Sequence, residues 1–482
     1  MYVISIVLVC FAALLILLTV YWTAVTSMYP EEMHTNEIHW LQTRDLWRLR
    51  MCRYRIGRTR GEPVLFVHGF NTNQHNFTCP EEHNMVEYLK SKGFDCWTID
   101  LRGTRSSIPP FERTRFHATM DGYLLEDIPA AIDFIRKNTG YDKVHWVGHS
   151  MGGTLLYAYV QAFGQQYIAS GATLGSPIGF ENTRFKVPVA TVWLGCHFPR
   201  SAAVIIRGMI PILMFFRMPT RLFPINLNNV PENMHTGHFF NMVDDPMPKV
   251  LREIAFFARQ GVWRMKNDTL DVFAGLSGMR LPLLAFFTPK DPFASPEQGI
   301  AFIERLPHDD KKAVVLSEEA GCAEDYDHCD MAFPREGERE VFKPIADWIQ
   351  AHSIGGPEAE PVGSDSTVGR LSHSERAFIL SGRSYGSAEQ KAAAEEPEHA
   401  EPAGSGKETP KPPAEKKTAA KKKTPAKKKT AAKKKPTAKK KTAAKKKSTS
   451  QKKTAAKKKP AAKKKPAGRA RSGGSSNRKE KS

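Results

Sequence analysis

From Tyr2 to Ser27 the chain carries no charged residue, and nothing basic precedes that run. A cleaved secretory signal joins a basic leader to a shorter apolar stretch, so both the missing leader and the length argue against one. About 20 apolar residues cross a hydrocarbon layer of about 30 Å as a helix. Residues 1–27 are therefore expected to form a transmembrane anchor, with Tyr21 and Trp22 where an interfacial aromatic belt lies. A cleaved signal and a buried helix are the competing readings. Cysteine is also sparse. Seven are present, an odd number, with no CxxC pair. That spacing suggests neither a disulfide framework nor a zinc site, and the thiols read as reduced groups.

The charge that is present is divided unevenly. Of 71 basic and 50 acidic residues, 32 and 4 lie from Glu401 onward, a charge of +28, and the remaining 39 and 46 leave −7. A mildly acidic body thus carries a polycationic tail, and the charge speaks to partners rather than to fold. Residues 28–60 hold Arg44, Arg48, Arg50, Arg53, Arg55, Arg58 and Arg60 and read as a basic juxtamembrane segment. By the positive-inside rule they place the body on the cytoplasmic side. Secretion after signal cleavage is the alternative.

From Pro63 the pattern alternates between short apolar runs and helical periodicity. Val64–Val67, Cys96–Ile99, Val144–Val147, Ala172–Leu174, Leu283–Phe287 and Ala313–Leu316 read as buried strands. Met85–Lys92, Tyr123–Asn138, Thr154–Phe163 and Val341–Ala351 read as helices. Such alternation predicts an α/β body over 61–351, with a mostly parallel sheet covered by helices on both faces. Between residues 176 and 281 the rhythm breaks into long apolar and aromatic stretches, and a helical cap inserted there is expected, with ordinary core helices the alternative. Residues 352–400 read as a flexible linker and 401–482 as a disordered tail.

One constellation carries chemistry. Gly148-His149-Ser150-Met151-Gly152 joins a predicted strand to a predicted helix, the setting of a nucleophile elbow. A sharp turn needs small neighbours, and it aims the Met151 N–H at a developing oxyanion. Serine needs a base to take its proton. The order Ser, then acid, then His is met by Asp291, at the end of the Leu283–Phe287 strand, and His328, in a loop before the last helix. His308 is the rival base but precedes its strand, at the wrong end of the sheet. The second oxyanion donor is expected from the Phe70 N–H, with Gly69 allowing close approach and His68 stiffening the loop.

Taken together, these residues resemble the acid and gastric lipases of the α/β-hydrolase superfamily. The resemblance rests on Phe66-Val67-His68-Gly69-Phe70, Asp95-Cys96-Trp97, Leu101–Ser106, Glu126–Phe134, Gly148–Gly153 and His328-x-Asp330, and covers roughly 61–350. It implies a lid, acyl-ester or lipid substrates, no cofactor and no metal. The expectation is a carboxylic ester hydrolase working through a Ser-His-Asp triad and an acyl-enzyme. Acyl transfer or polyester turnover on the same triad is one alternative. A catalytically weak tether between membrane and nucleic acid is another. Polyester synthases look similar but carry cysteine where Ser150 stands.

The tail repeats Thr-Ala-Ala-Lys-Lys-Lys from Thr418, Thr430, Thr442 and Thr454. It resembles lysine-rich bacterial histone-like tails. Lysine triplets bind phosphates by counterion release without reading sequence, so DNA, RNA, polyphosphate or anionic lipid is the expected partner.

Overall fold

The computed structural model describes residues 2–57, 61–179, 189–216 and 224–356. The linker beyond residue 356 and the tail at 401–482 lie outside the described residues. The body is organised on one eight-stranded sheet: β1 (Glu37–Gln42), β2 (Arg48–Tyr54), β3 (Pro63–Val67), β4 (Asp95–Ile99), β5 (Val144–His149), β6 (Ile168–Leu174), β7 (Leu283–Phe287) and β8 (Lys311–Val315). Their order across the sheet is β1-β2-β4-β3-β5-β6-β7-β8. From β4 to β8 every pairing is parallel, while β1–β2 and β2–β4 are antiparallel.

Alternate side chains of each strand enter different cores. Leu65 and Val67 of β3 join Trp97, Trp146 and the inner face of one set of helices. Val64 and Phe66 join Val147, Leu174 and Phe286 on the other face. Both faces are dry, so the central strands are continuous apolar runs rather than alternating ones. The α-helices of seven or more residues are α1 (Tyr2–Met28), α2 (Met85–Ser91), α3 (Ile128–Thr139), α4 (Met151–Phe163), α5 (Val189–His197), α6 (Pro199–Phe215), α7 (Thr236–Met242), α8 (Pro248–Gln260), α9 (Pro296–Arg305) and α10 (Lys343–Ala351). α3 buries Ile128, Ala131, Ile132 and Ile135, the spacing of one helical face.

Two expectations are corrected. Residues 28–60 are not a juxtamembrane segment apart from the body, because β1 and β2 belong to its sheet. Arginines that read as membrane-flanking charge are folded inside. Arg50 donates to Asp100 at 2.7 Å and to Glu31 at 2.7 Å. Arg53 pairs with Asp95 through Nε at 2.9 Å and lies 4.6 Å from the Trp97 ring centroid. Buried guanidinium groups are tolerated only when paired, and removing one partner of such a pair typically costs about 3–5 kcal/mol. The cap boundary also moves. Within 176–281, where a cap is expected, α6 and α7 contribute Ile210, Phe239 and Met242 to a separate apolar cluster, but Val250 and Phe257 of α8, and Trp263, Val272 and Leu276 after it, belong to the main core.

Among the described residues one helix, α1, is long and apolar enough to cross a membrane. Its first 19 described positions are exposed, and its last turns touch the body.

Candidate active site

The site gathers at the ends of β3, β5, β6 and β7. Ser150 follows β5 directly and holds φ 53° and ψ −118°, a strained conformation for a residue with a side chain. Its N–H donates to the Leu174 carbonyl at 2.8 Å, and α4 begins at Met151. The glycines around it answer to crowding. A Cβ on Gly152 would stand 2.0 Å from the Val67 carbonyl oxygen, and one on Gly148 2.6 Å from the backbone of Gly152 and Gly153. The elbow can close only where neither side chain exists.

The loop after β3 runs against this turn. A Cβ on Gly69 would meet the Ser150 Cβ at 3.2 Å. His68 ties the loop down: its Nε2 accepts from the Leu101 N–H at 3.2 Å, and its Nδ1 lies 2.8 Å from the Gly69 carbonyl. Burial holds its pKa below the usual histidine value, so the ring is a neutral strut. Phe70 is half-buried against the main core.

His328 and Asp291 meet directly. His328 Nδ1 lies 2.7 Å from Asp291 Oδ2, and both side chains are buried. The other carboxylate oxygen, Oδ1, accepts from the N–H groups of Phe293 at 2.7 Å and Ala294 at 3.2 Å. Phe293 stands edge-on to the His328 ring at 4.6 Å. Asp291 thus has fixed partners on both oxygens, and the imidazole is held between a carboxylate and an aromatic edge. His149, the residue before Ser150, donates through Nε2 to the His328 carbonyl at 2.9 Å. Its ring lies 4.9 Å from the His328 ring. Burial, with His328 adding to it, pushes the His149 imidazole down to about 3. The rival base, His308, makes no side-chain hydrogen bond through either ring nitrogen, although both are buried.

Three contributors are not legible in the sequence. Gly175 follows β6 at φ 53°, and a Cβ there would stand 2.8 Å from Asp291 Oδ2 and 3.0 Å from His328 Nδ1. His149 reads from the sequence only as part of the elbow. Asp330 lies in the His328-x-Asp330 motif, which by itself gives it no role. Burial raises it to about 7, and it accepts from Asn229 Nδ2 at 2.9 Å, Asn226 N at 3.1 Å and Asp327 N at 3.1 Å. It thereby staples the histidine loop to the segment at Asn226 and Asn229. Glycine directly after an apolar strand is the only local signal for Gly175.

Among the described residues no group of three or more His, Cys, Asp or Glu is placed to hold a metal ion. The arrangement at Ser150 offers a hydroxyl on a strained turn, an oriented imidazole and backbone N–H groups.

The chain is similar in sequence to lipases and to a polymerase subunit. Triacylglycerol lipase 2 of Arabidopsis thaliana is 30% identical over 158 residues, which cover 30% of this chain and 38% of that protein. Human gastric triacylglycerol lipase is 31% identical over 134 residues, 25% of this chain and 34% of the lipase. The PhaC subunit of the poly(3-hydroxyalkanoate) polymerase of Haloferax mediterranei is 20% identical over 318 residues, 62% of this chain and 61% of that one. The chain therefore spans little more than a third of the length of either lipase. The likeness to gastric lipases read from the motifs is found again here. Residues 62–321 match the alpha/beta hydrolase fold family, and with its parallel sheet and strained serine elbow the chain belongs to that family.

Proposed function

We propose that this chain is a membrane-anchored serine hydrolase of carboxylic esters. The observation that carries the reading is the 2.7 Å contact of His328 Nδ1 with Asp291 Oδ2 beside a serine held at φ 53°. Asp291 keeps the proton of His328 on Nδ1, which leaves Nε2 free to take the Ser150 hydroxyl proton. Ser150 Oγ then bonds to the ester carbonyl carbon, and the carbonyl oxygen takes negative charge. The N–H groups of Met151 and Phe70, with the start of α4, are the donors for that oxyanion. His328 returns the proton to the leaving alcohol. A water molecule, deprotonated in turn by His328, bonds to the acyl carbon; the bond to Ser150 Oγ breaks, His328 returns its proton to that oxygen, and the acid leaves. The names of the lipase relatives support lipid or other acyl esters as the substrate class.

The same reading gives α1 the role of an uncleaved anchor with the body on the cytoplasmic side. It gives the tail at 401–482 the role of a polyanion binder. The cytoplasmic side rests on Arg44, Arg48 and Arg55, none of them buried, and protease digestion of sealed membranes from either face tests it.

The deciding assay presents the full chain with p-nitrophenyl esters of graded chain length beside Ser150→Ala. Turnover by the parent and none by the variant is expected, and equal turnover would overturn the assignment. Acyl transfer is the second reading, favoured by the match to a polymerase subunit across 62% of the chain. An alcohol acceptor added to the assay separates the two: hydrolysis yields free acid, transfer yields a new ester.

A further inference from the structure

Helix α6 is turned the wrong way round for a helix in water. Val204, Ile205, Met209, Ile212 and Phe215, with Phe216 just beyond, are all exposed, from 40% at Val204 to 81% at Phe215. Positions 205, 209, 212 and 216 follow the i, i+4, i+7 spacing of a single stripe. The charged residue beyond its first turn points the other way. Arg207 is buried and paired with Asp245 at 2.5 Å. A surface helix in water shows its charges and hides its apolar stripe, and a contiguous apolar patch on a folded surface marks something that covers it.

Two features say what covers α6. First, α1 is joined to it. The Tyr21 hydroxyl donates to the Gly208 carbonyl at 2.5 Å, and the Arg207 guanidinium lies 5.7 Å from the Trp22 ring centroid. An apolar helix whose first 19 described residues are exposed therefore ends against the middle of α6. Second, the composition suits an interfacial layer: Phe215 and Phe216 close the stripe, and Trp193 on α5 is 54% exposed beside aromatic Phe198. On its inner face α6 contributes Ile210 to the apolar cluster that also holds Ala332 and Phe333, a few residues past His328.

We propose that the outer face of α6 is a second membrane contact, lying in the interfacial layer of the bilayer that α1 enters. It rests on the reading that α1 remains in the membrane. Anchor and cap would then hold the body at two places and turn the histidine loop toward the lipid. Ester substrates would reach Ser150 from the bilayer rather than from bulk water.

The test uses the full chain in phosphatidylcholine vesicles. A fluorescent amino acid is incorporated at one position at a time: Ile212 on α6, Leu14 on α1, or Asp133, whose side chain is 52% exposed on α3. Lipids carrying a nitroxide near the headgroup or near the acyl terminus serve as quenchers. Loss of most emission at Leu14 and Ile212, with Ile212 quenched best by the headgroup-proximal nitroxide and Asp133 unaffected, is the expected result. Quenching at Leu14 but not at Ile212 would overturn the second contact while leaving the anchor intact. No quenching at Leu14 would overturn the anchor reading and this inference with it. Labelling of Ser150 by a fluorophosphonate confirms that each variant is folded, and Phe215 replaces Ile212 as the reporter position if that variant does not fold.

Discussion

His149 donates its Nε2–H to the backbone carbonyl of His328 at 2.9 Å, so the residue before the proposed nucleophile holds the loop that bears the proposed base. The bond sets the spacing between two elements that share no sheet pairing. His149→Phe keeps a ring against His328 and removes the bond. With about 1 kcal/mol of positioning removed, kcat should fall roughly fivefold while KM for a small ester stays close to the parent value. Steady-state kinetics on a short p-nitrophenyl ester measures it. A change in KM alone would argue that His149 touches substrate instead.

The same residue gives a pH signature in stability. Its folded pKa of about 3 lies below the ordinary value of 6.5. Below pH 6.5 the unfolded chain binds a proton that the folded chain refuses, so the contribution is complete above 6.5 and is lost as pH falls toward 3. Each unit in that window costs up to about 1.4 kcal/mol, or about 2 kcal/mol at pH 5. Urea unfolding of the parent and His149→Phe between pH 7.5 and pH 5, as a difference, should show the parent losing more. Parallel curves would mean that His149 is not buried neutral.

The proposed triad should behave as one unit. Ser150→Ala and His328→Ala should each cost about 10⁵–10⁶-fold in kcat. Asp291→Asn, which leaves the carboxylate's place filled but can favour the wrong tautomer of His328, should cost less, about 10⁴-fold. The double variant Ser150→Ala/His328→Ala should be no worse than either single one. Additive losses would show that the two side chains act separately.

Gly175 and Gly57 separate backbone strain from crowding. Both hold positive φ, at 53° and 57°, but a Cβ on Gly175 would collide with Met331, Asp291 and His328, and one on Gly57 meets nothing within 4 Å. Gly57→Ala should cost about 1 kcal/mol of stability and leave turnover intact. Gly175→Ala should cost more and cut kcat at least tenfold, because the carboxylate and imidazole must move apart. Thermal unfolding and kinetics on both variants decide it, and equal activity in the two would remove Gly175 from the site.

Binding of polyanions by the tail should be governed by salt. The tail's 29 lysines offer point charges that cannot read base edges, so duplex DNA, RNA and polyphosphate should bind with little sequence preference. The slope of log affinity against log salt should become less negative by about 0.9 for each duplex phosphate that the shortened tail no longer neutralises. Shift assays on a series shortened one Thr-Ala-Ala-Lys-Lys-Lys unit at a time should show those steps. Binding that survives removal of residues 401–482 would place the nucleic-acid site on the body.

The amino-acid sequence by itself determined the α/β alternation, the six strands from β3 to β8 and the elbow at Ser150. Those features are local: a strand buried on both faces is a continuous apolar run, and a turn this tight leaves a glycine pattern. It also singled out Asp291 and His328, by chain order and by position at a strand end and in the last loop, and the fold brings these two side chains to 2.7 Å. The hairpin β1–β2 was not legible, because Arg50 and Arg53 look like surface charge until Asp100 and Asp95, 50 and 42 residues away, fold beside them. Gly175 acquires its meaning only when the ends of β6 and β7 and the histidine loop converge on one point. The sequence showed apolar stretches between residues 176 and 281 but not which way they face. That direction was decided by tertiary packing, since Arg207 finds its acid, Asp245, on the inside and leaves the apolar side chains outward.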